Sequence, residues 1–331
     1  MELRKLGERG PAVSAIGLGC MGMSDLYGPA DDAESLATIR AALDAGVTLL
    51  DTADFYGCGH NEMLVGRAIA GRRDSVFVQV KFGVLRDPAG GFTGLDLRPA
   101  GIRNALAYSL RRLGTDYVDL YQPARLDPRV PIEEIVGTLA DLVKAGHVRH
   151  VGLSEAGPET IRRAHAVHPV TAVQMEYSLM SRSIEARVLP VCRELGIGVT
   201  AYGVLSRGLL AGTVPPGGYA GKRDFRAHAP RFAGDNLARN QRLVEHLREL
   251  ARARNATPAQ LAIAWALARG TDVIPLVGAR RRDRLAESLA ALSLALTPAE
   301  LAAIDEAVPA TAVAGERYDE HGMRMLDSER G

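Results

Sequence analysis

The chain is poor in the features that mark special environments. Only three cysteines, Cys20, Cys58 and Cys192, occur in 331 residues. An odd, scattered set excludes a disulfide framework and fits a reducing compartment, so the expected location is the cytoplasm. No stretch approaches the ~20 apolar residues of a membrane span. The start, Met1-Glu2-Leu3-Arg4-Lys5-Leu6, lacks the uninterrupted apolar core of a secretory signal. Neither sign of charge dominates: 40 Lys+Arg against 39 Asp+Glu leave a net +1. That balance gives no general attraction for nucleic acid or a membrane surface, so any anion must be bound locally and the expected partner is a small molecule. Aromatic residues are only 5%, with one tryptophan. Trp265 shares a helical stretch with Leu261, Ile263 and Leu267 and reads as core rather than pocket.

What is present is an alternation. After an opening hairpin (Leu3 to Leu6, a turn at Glu8-Arg9-Gly10-Pro11, Ala12 to Ile16), short branched-apolar runs alternate with helical patterns. The strand candidates are Ile16 to Gly19, Val47 to Asp51, Val76 to Lys81, Tyr117 to Gln122, Val151 to Ser154, Val170 to Gln174, Gly198 to Tyr202 and Val273 to Val277. Eight strands between helices is the barrel number, so the predicted fold is α/β, a (β/α)8 TIM barrel with an N-terminal β-hairpin and an additional C-terminal helix. One domain spans 1–331, with a polar tail from 309 to 331. Asp31-x-x-Glu34, Thr257-Pro258-Ala259-Gln260 and Thr297-Pro298-Ala299-Glu300 mark helix starts, since each offers a side-chain oxygen to free amides of a first turn. Arg86 to Pro99 and Thr213 to Asp235 read as long loops, the second with Lys222, Arg223, Arg226 and Arg231 able to close over an anion.

Three residues just past strand ends carry the chemistry. Tyrosine, with a reference pKa near ~10, becomes a useful acid when a cation stabilises its phenolate. Lys81 supplies a cation, and Asp51 holds and charges the ammonium, so Asp51, Tyr56 and Lys81 are the candidate catalytic set for handing a proton to a carbonyl oxygen. Gly17-x-Gly19-x-x-Gly22 matches a dinucleotide fingerprint, but no helix follows until about Asp32, which excludes a Rossmann turn. Arg280-Arg281-Arg282-Asp283-Arg284 opens the helix after the last strand, where cations oppose the helix dipole and a bound phosphate would resolve the conflict. Cys58-x-His60 provides two ligands where structural zinc needs four, so no metal site is expected.

These motifs together resemble the aldo-keto reductase family, and within it the pyridoxal reductase and bacterial aldehyde reductase members. The resemblance is carried by Ile16-Gly17-Leu18-Gly19-Cys20-Met21-Gly22, Asp51 to Tyr56 with Asn61-Glu62, Lys81, Gly152-Leu153-Ser154, Gln174-Met175-Glu176-Tyr177-Ser178, Ala201 to Gly208 and Pro275-Leu276-Val277-Gly278. It implies an NADP-dependent oxidoreductase acting on CH–OH, in which NADPH reduces an aldehyde or ketone and Tyr56 is the general acid. It further implies that Gly19, Cys20 and Met21, with Asp51, lie beside the nicotinamide ribose. Ser154 and Gln174 would hold the carboxamide, with Glu155 beside them where relatives more often have asparagine. Tyr202 would stack on the ring, and Gly203, Val204, Leu205 and Arg207 would line the pyrophosphate. Gly278, Ala279, Arg280 and Arg284 would take the 2'-phosphate, with Glu287 and Ser288 near the adenine.

One position departs from the resemblance. The family's catalytic histidine aligns with Ala124, in Tyr121-Gln122-Pro123-Ala124-Arg125. Loss of one donor to a developing oxyanion costs ~2.7–4 kcal/mol in the transition state. By strand alternation Arg125 faces the opposite side and is not expected to substitute, while His60 is either a nearby replacement or an exposed loop residue. Two alternatives follow from Ala124: an NADP(H)-binding regulatory or sensor protein with weak turnover, or reduction of an enone in an enlarged pocket. The carbonyl substrate itself is set by Phe82 to Pro99, Thr213 to Asp235 and the tail.

Overall fold

Short runs buried on both faces become the barrel strands here, and apolar positions three and four apart become the inward faces of helices. The computed structural model describes residues 1–212, 214–215, 219 and 224–330. Strands β1 (Leu3–Lys5) and β2 (Ala12–Ser14) form the opening hairpin. They are followed by β3 (Gly17–Gly19), α1 (Asp32–Asp44), β4 (Leu49–Ala53), α2 (His60–Ile69) and β5 (Phe77–Phe82). A second hairpin, β6 (Val84–Arg86) with β7 (Phe92–Leu95), leads to α3 (Pro99–Leu113) and β8 (Val118–Pro123). Next come α4 (Ile132–Lys144), β9 (Val148–Ser154), α5 (Pro158–Val167), β10 (Val170–Glu176), α6 (Ile184–Glu194) and β11 (Gly198–Tyr202). Two helices, α7 (Gly234–Ala253) and α8 (Pro258–Leu267), precede β12 (Val273–Gly278), and α9 (Arg282–Ala290), α10 (Pro298–Ala307) and α11 (Glu320–Arg324) complete the order.

Strands β3, β4, β5, β8, β9, β10, β11 and β12 close in that order into a parallel barrel ringed by helices. This is the (β/α)8 fold that the alternation predicts. Helix α4 illustrates why the ring forms: Ile132, Ile135, Val136, Leu139 and Leu142 are buried, a stripe at three- and four-residue spacing, while Glu133 and Glu134 stay outside. The predicted caps are present. Thr257 with Gln260 and Thr297 with Glu300 form reciprocal capping boxes, and Asp31 accepts from the Glu34 amide at 2.8 Å. Trp265 is fully buried in α8, its indole N–H bonded to Asp305. No described helix is long and apolar enough to cross a membrane.

The two ends of the barrel differ. At the amino-terminal end, Leu6 and Val13 of the hairpin pack on the inward Leu49, Phe77, Leu120, Ala172, Ile274 and Leu276. Backbone meets backbone there: a Cβ on Gly7 would sit 2.7 Å from the Gly198 nitrogen, and Gly7 has φ +70, so only glycine fits. Two residues further along four of these strands the interior turns polar, with Asp51, Gln79, Gln122 and Gln174 all buried, and two residues beyond that it carries Lys81 and Glu176. At the carboxyl end the tail folds across the mouth. Asn240 of α7 clasps Ala314 at both its N–H (2.9 Å) and C=O (2.8 Å), and Arg317, Tyr318 and Ser328 follow over the opening.

Two expectations change. The stretch Arg86 to Pro99 is not structureless, because β7 returns along β6 after a turn at Gly90-Gly91. Of the second loop, Thr213, Lys222 and Arg223 lie outside the described residues; Arg226 and Arg231 are described, in short helical turns at Phe225–Ala227 and Pro230–Phe232.

Candidate active site

Strand register assembles the first part of the site. Asp51 lies opposite Gly19 on one side and Gln79 on the other, and Ala53 lies opposite Lys81. Gln79 and Lys81, two residues apart, share the inner face. Lys81 Nζ donates to both Asp51 oxygens at 2.6 and 2.7 Å, and the amides of Gln79 and Gln174 each donate to Oδ1 at 2.8 Å. A buried carboxylate is thus partnered by one cation and two amides, which offsets the cost of removing it from water.

Tyr56 reaches this pair through an unusual turn. Gly57, Cys58 and Gly59 all have positive φ (56, 53 and 93°), so the chain doubles back before α2. Gly59 suits this turn because its φ of 93° is one that other residues adopt only with strain. Asn61 pins the turn by donating to the Cys20 carbonyl and Ser24 Oγ, both at 2.8 Å, while Thr52 donates to its oxygen at 2.7 Å. Tyr56 is 5% exposed, with Lys81 Nζ 5.2 Å from its ring centre. Strain concentrates around this mouth. Among the described residues, six non-glycine residues have positive φ; Leu26, Cys58, Glu155, Ser206 and Arg207 follow barrel strands, and Asn255 lies elsewhere.

The electrostatics correct the simple picture of a lysine-tuned acid. Burial, followed by the Asp51 charge, drives the Tyr56 phenol well above its ordinary range. Lys81 spends its charge on Asp51, and burial itself moves Lys81 down. The cation that opposes the rise in Tyr56 is Arg125. Arg125 therefore does not face away. β8 ends at Pro123, and Ala124 and Arg125 occupy a bend in which strand alternation no longer applies. The guanidinium turns to the mouth, donating to the Ala124 carbonyl (2.6 Å) and to Tyr318 Oη (3.2 Å). The His60 ring nitrogens are engaged elsewhere, with Ser24 Oγ (2.8 Å) and Asp32 (3.0 Å).

A second polar cluster closes the opposite side of the mouth. Glu155 accepts from the Glu176 amide (2.9 Å), Tyr202 Oη (2.8 Å), Arg317 (3.0 and 2.8 Å) and Ser328 Oγ (2.7 Å). Glu176 pairs with Arg207 at 2.8 Å and Arg317 at 3.3 Å. Burial alone would raise Glu155, but the Arg317 guanidinium beside it brings its carboxyl down to about 2. Tyr318 shares a 3.0 Å hydrogen bond with Tyr202.

The remaining predicted residues fall along the rim. Ser154 is in register with Gln174, and its buried Oγ, like Ser206 Oγ in the strained turn after β11, has no hydrogen-bond partner among the described residues. Gly278 is in register with Gly19, the residue before Cys20 and Met21. Gly203, Val204 and Leu205 form the turn between Tyr202 and Arg207. Next to Ala279, Arg280 donates to the Tyr27 and Pro29 carbonyls (both 3.0 Å), so it braces the loop after β3. Arg284 pairs with Glu287 at 2.8 Å, and Ser288 bonds back to the Arg284 carbonyl at 2.9 Å, inside α9.

A parallel barrel with a buried carboxylate–ammonium pair and a tyrosine at the carboxyl ends of its strands is the architecture of a barrel oxidoreductase. The sequence profile of the aldo/keto reductase family matches residues 15–309, and the chain belongs to that family. It is 43% identical over 318 residues to a probable aldo-keto reductase 1 of Glycine max, covering 95% of this chain and 91% of the relative. Among solved structures it resembles a glycerol dehydrogenase from Gluconobacter oxydans (TM-score 0.84, 30% identity, 99% of this chain and 97% of that one). It also resembles the holo form of an aldo-keto reductase from Bacillus halodurans (TM-score 0.78, 29% identity, 97% and 99%).

Sequence reasoning missed Gln79, Glu176, Arg317, Tyr318 and the inward turn of Arg125. Gln79 had a signal, because a glutamine two residues before Lys81 on an otherwise apolar strand must share its face. Glu155 and Arg317 lie 162 residues apart and had none.

Proposed function

We propose that the protein is an NADPH-dependent reductase of aldehydes or ketones, and the observation that carries this reading is the Asp51–Lys81 pair set against Tyr56. The residues present fit a nicotinamide dinucleotide. The unpartnered Ser154 Oγ, with Gln174 beside it, suits a carboxamide, and Tyr202 offers a ring for stacking. Ser206 Oγ, with Arg207 and the backbone from Gly203 to Leu205, suits a pyrophosphate; Arg280 and Arg284 at the start of α9 suit the 2'-phosphate that distinguishes NADPH. Gly19, Cys20 and Met21, with Asp51, would border the ribose side, with Gly278 and Ala279 beside the 2'-phosphate and Glu287 and Ser288 toward the adenine.

When bound, NADPH supplies a hydride to the carbonyl carbon and leaves as NADP+. Tyr56 Oη gives its proton to the carbonyl oxygen, completing the alcohol, and is reprotonated from solvent. Asp51 holds Lys81 charged beside the tyrosine ring. Glu155 belongs to the tail contacts described above, and its role toward the cofactor is indirect, through Tyr202.

The test is oxidation of saturating NADPH across a panel of carbonyls including pyridoxal and aromatic aldehydes, with glycerol oxidation added because of the Gluconobacter relative. Tyr56→Phe should lower kcat by about 10²–10⁴-fold, the usual worth of a positioned acid. Tight NADPH binding with negligible turnover, unchanged in Tyr56→Phe, would instead support the sensor reading; a saturated ketone as product would support enone reduction.

A further inference from the structure

We propose that Arg125 does the work of the missing histidine, its guanidinium donating to the substrate's carbonyl oxygen opposite Tyr56 and stabilising the negative charge that builds there. This rests on the carbonyl-reductase reading above. The first support is position. The bend at Ala124 and Arg125 turns the side chain of the residue after 124 to the mouth, with Nη1 anchored on the Ala124 carbonyl at 2.6 Å and Nη2 on Tyr318 Oη at 3.2 Å.

The second support is charge. Arg207, Arg231 and Arg317 all face Glu176, and Arg317 also faces Glu155 and Glu329. Arg125 has no carboxylate within 4.0 Å among the described residues, although it is only partly exposed. A guanidinium removed from much of its water, with no carboxylate in direct contact and Glu155 acting on it only at longer range, is suited to an oxygen that becomes negative during reaction.

The third support is an oxygen already in place. Tyr318 Oη is held at once by Arg125 (3.2 Å) and by Tyr202 (3.0 Å), the ring proposed to stack on the nicotinamide. The tail hydroxyl thus shows that the Arg125 guanidinium can donate to an oxygen at the mouth, beside the hydroxyl of Tyr202. Burial holds the Tyr56 proton most tightly, the charges of Asp51, Tyr27 and Tyr318 add to that, and the Arg125 charge opposes it. In the step itself the carbonyl π pair moves to oxygen as hydride adds to carbon, the Tyr56 O–H bond breaks toward that oxygen, and Arg125 keeps all its protons.

The experiment compares wild type, Arg125→Met, Arg125→Lys and the double variant Ala124→His/Arg125→Met. Each is assayed on uncharged 4-nitrobenzaldehyde and on 4-carboxybenzaldehyde. NADPH affinity is read by fluorescence, and affinity for the unreactive 4-nitrobenzamide is read calorimetrically with NADP+ present. Arg125→Met should lower kcat on the uncharged aldehyde by about 10²–10³-fold, the usual effect of losing one oxyanion donor. It should also weaken amide binding by about tenfold and leave NADPH affinity within about twofold. Lysine should recover part of the loss, since it keeps the charge but not the planar fork, and the added histidine should recover more. Unchanged kcat on the uncharged aldehyde, with a raised KM for the carboxylate alone, would overturn the proposal in favour of an anchor for anionic substrates. Parallel losses of NADPH affinity and kcat would overturn it in favour of a purely structural role. If wild type reduces nothing, the functional reading fails by itself, and amide binding unchanged by Arg125→Met then separately overturns this inference.

Discussion

The two ends of this barrel are closed by opposite means. At the amino-terminal end the hairpin is held by buried Leu6 and Val13 and by backbone contact at Gly7, with no charge in the apolar plug. At the carboxyl end the tail is held by Arg317, Tyr318 and Ser328 on Glu155, Glu176 and Tyr202. Apolar burial has no better partner to exchange for, so the first closure is permanent. Ionic and hydroxyl contacts can be exchanged for those of a charged ligand or for water, so the second closure is replaceable. The difference places stability at one end and chemistry at the other, as barrels generally do.

The comparison can be broken from either side. Leu6→Ala should have the largest effect on stability, about 2–5 kcal/mol for an emptied core site, measured by urea unfolding, with NADPH affinity unchanged. Acid should act on the other end. Glu155 sits at about 2 against an ordinary 4.5. Its stabilisation is therefore fully present above pH 4.5 and is lost as pH falls through about 2, roughly 3 kcal/mol in all. Glu155→Gln should flatten the acid limb of tail protection from proteolysis. Arg317→Ala should cost about 1–3 kcal/mol, mostly as release of the tail, seen as cleavage near residues 309–330 well before global unfolding. Thr297→Ala, which removes a cap on α10 far from the apolar plug, should cost about 1 kcal/mol and leave both closures as they were. A tail as resistant in Arg317→Ala as in wild type would show that the mouth is held by something other than charge.

Local chemistry made most of the fold legible. The eight strands appear as short branched-apolar runs, and the starts of α1, α8 and α10 as side chains able to cap free amides. Asp51, Tyr56 and Lys81 were also legible, because their strand ends are neighbours in the barrel. What escaped depended on geometry beyond a period. Alternation misdirected Arg125 because β8 stops one residue before Ala124. The Glu155–Arg317 contact joins segments with no local pattern in common. The acidity of Tyr56 depends on which partner Lys81 chooses, and Asp51 takes both of its short hydrogen bonds.

The turn that presents Tyr56 has a practical corollary. Cys20 and Cys192 are buried, and burial pushes both thiols up, whereas Cys58, two residues past Tyr56, is exposed. A maleimide dye offered to the native protein has one exposed address, on the turn that follows Tyr56. Opening and closing of the barrel mouth could therefore be followed by fluorescence in the unmodified sequence.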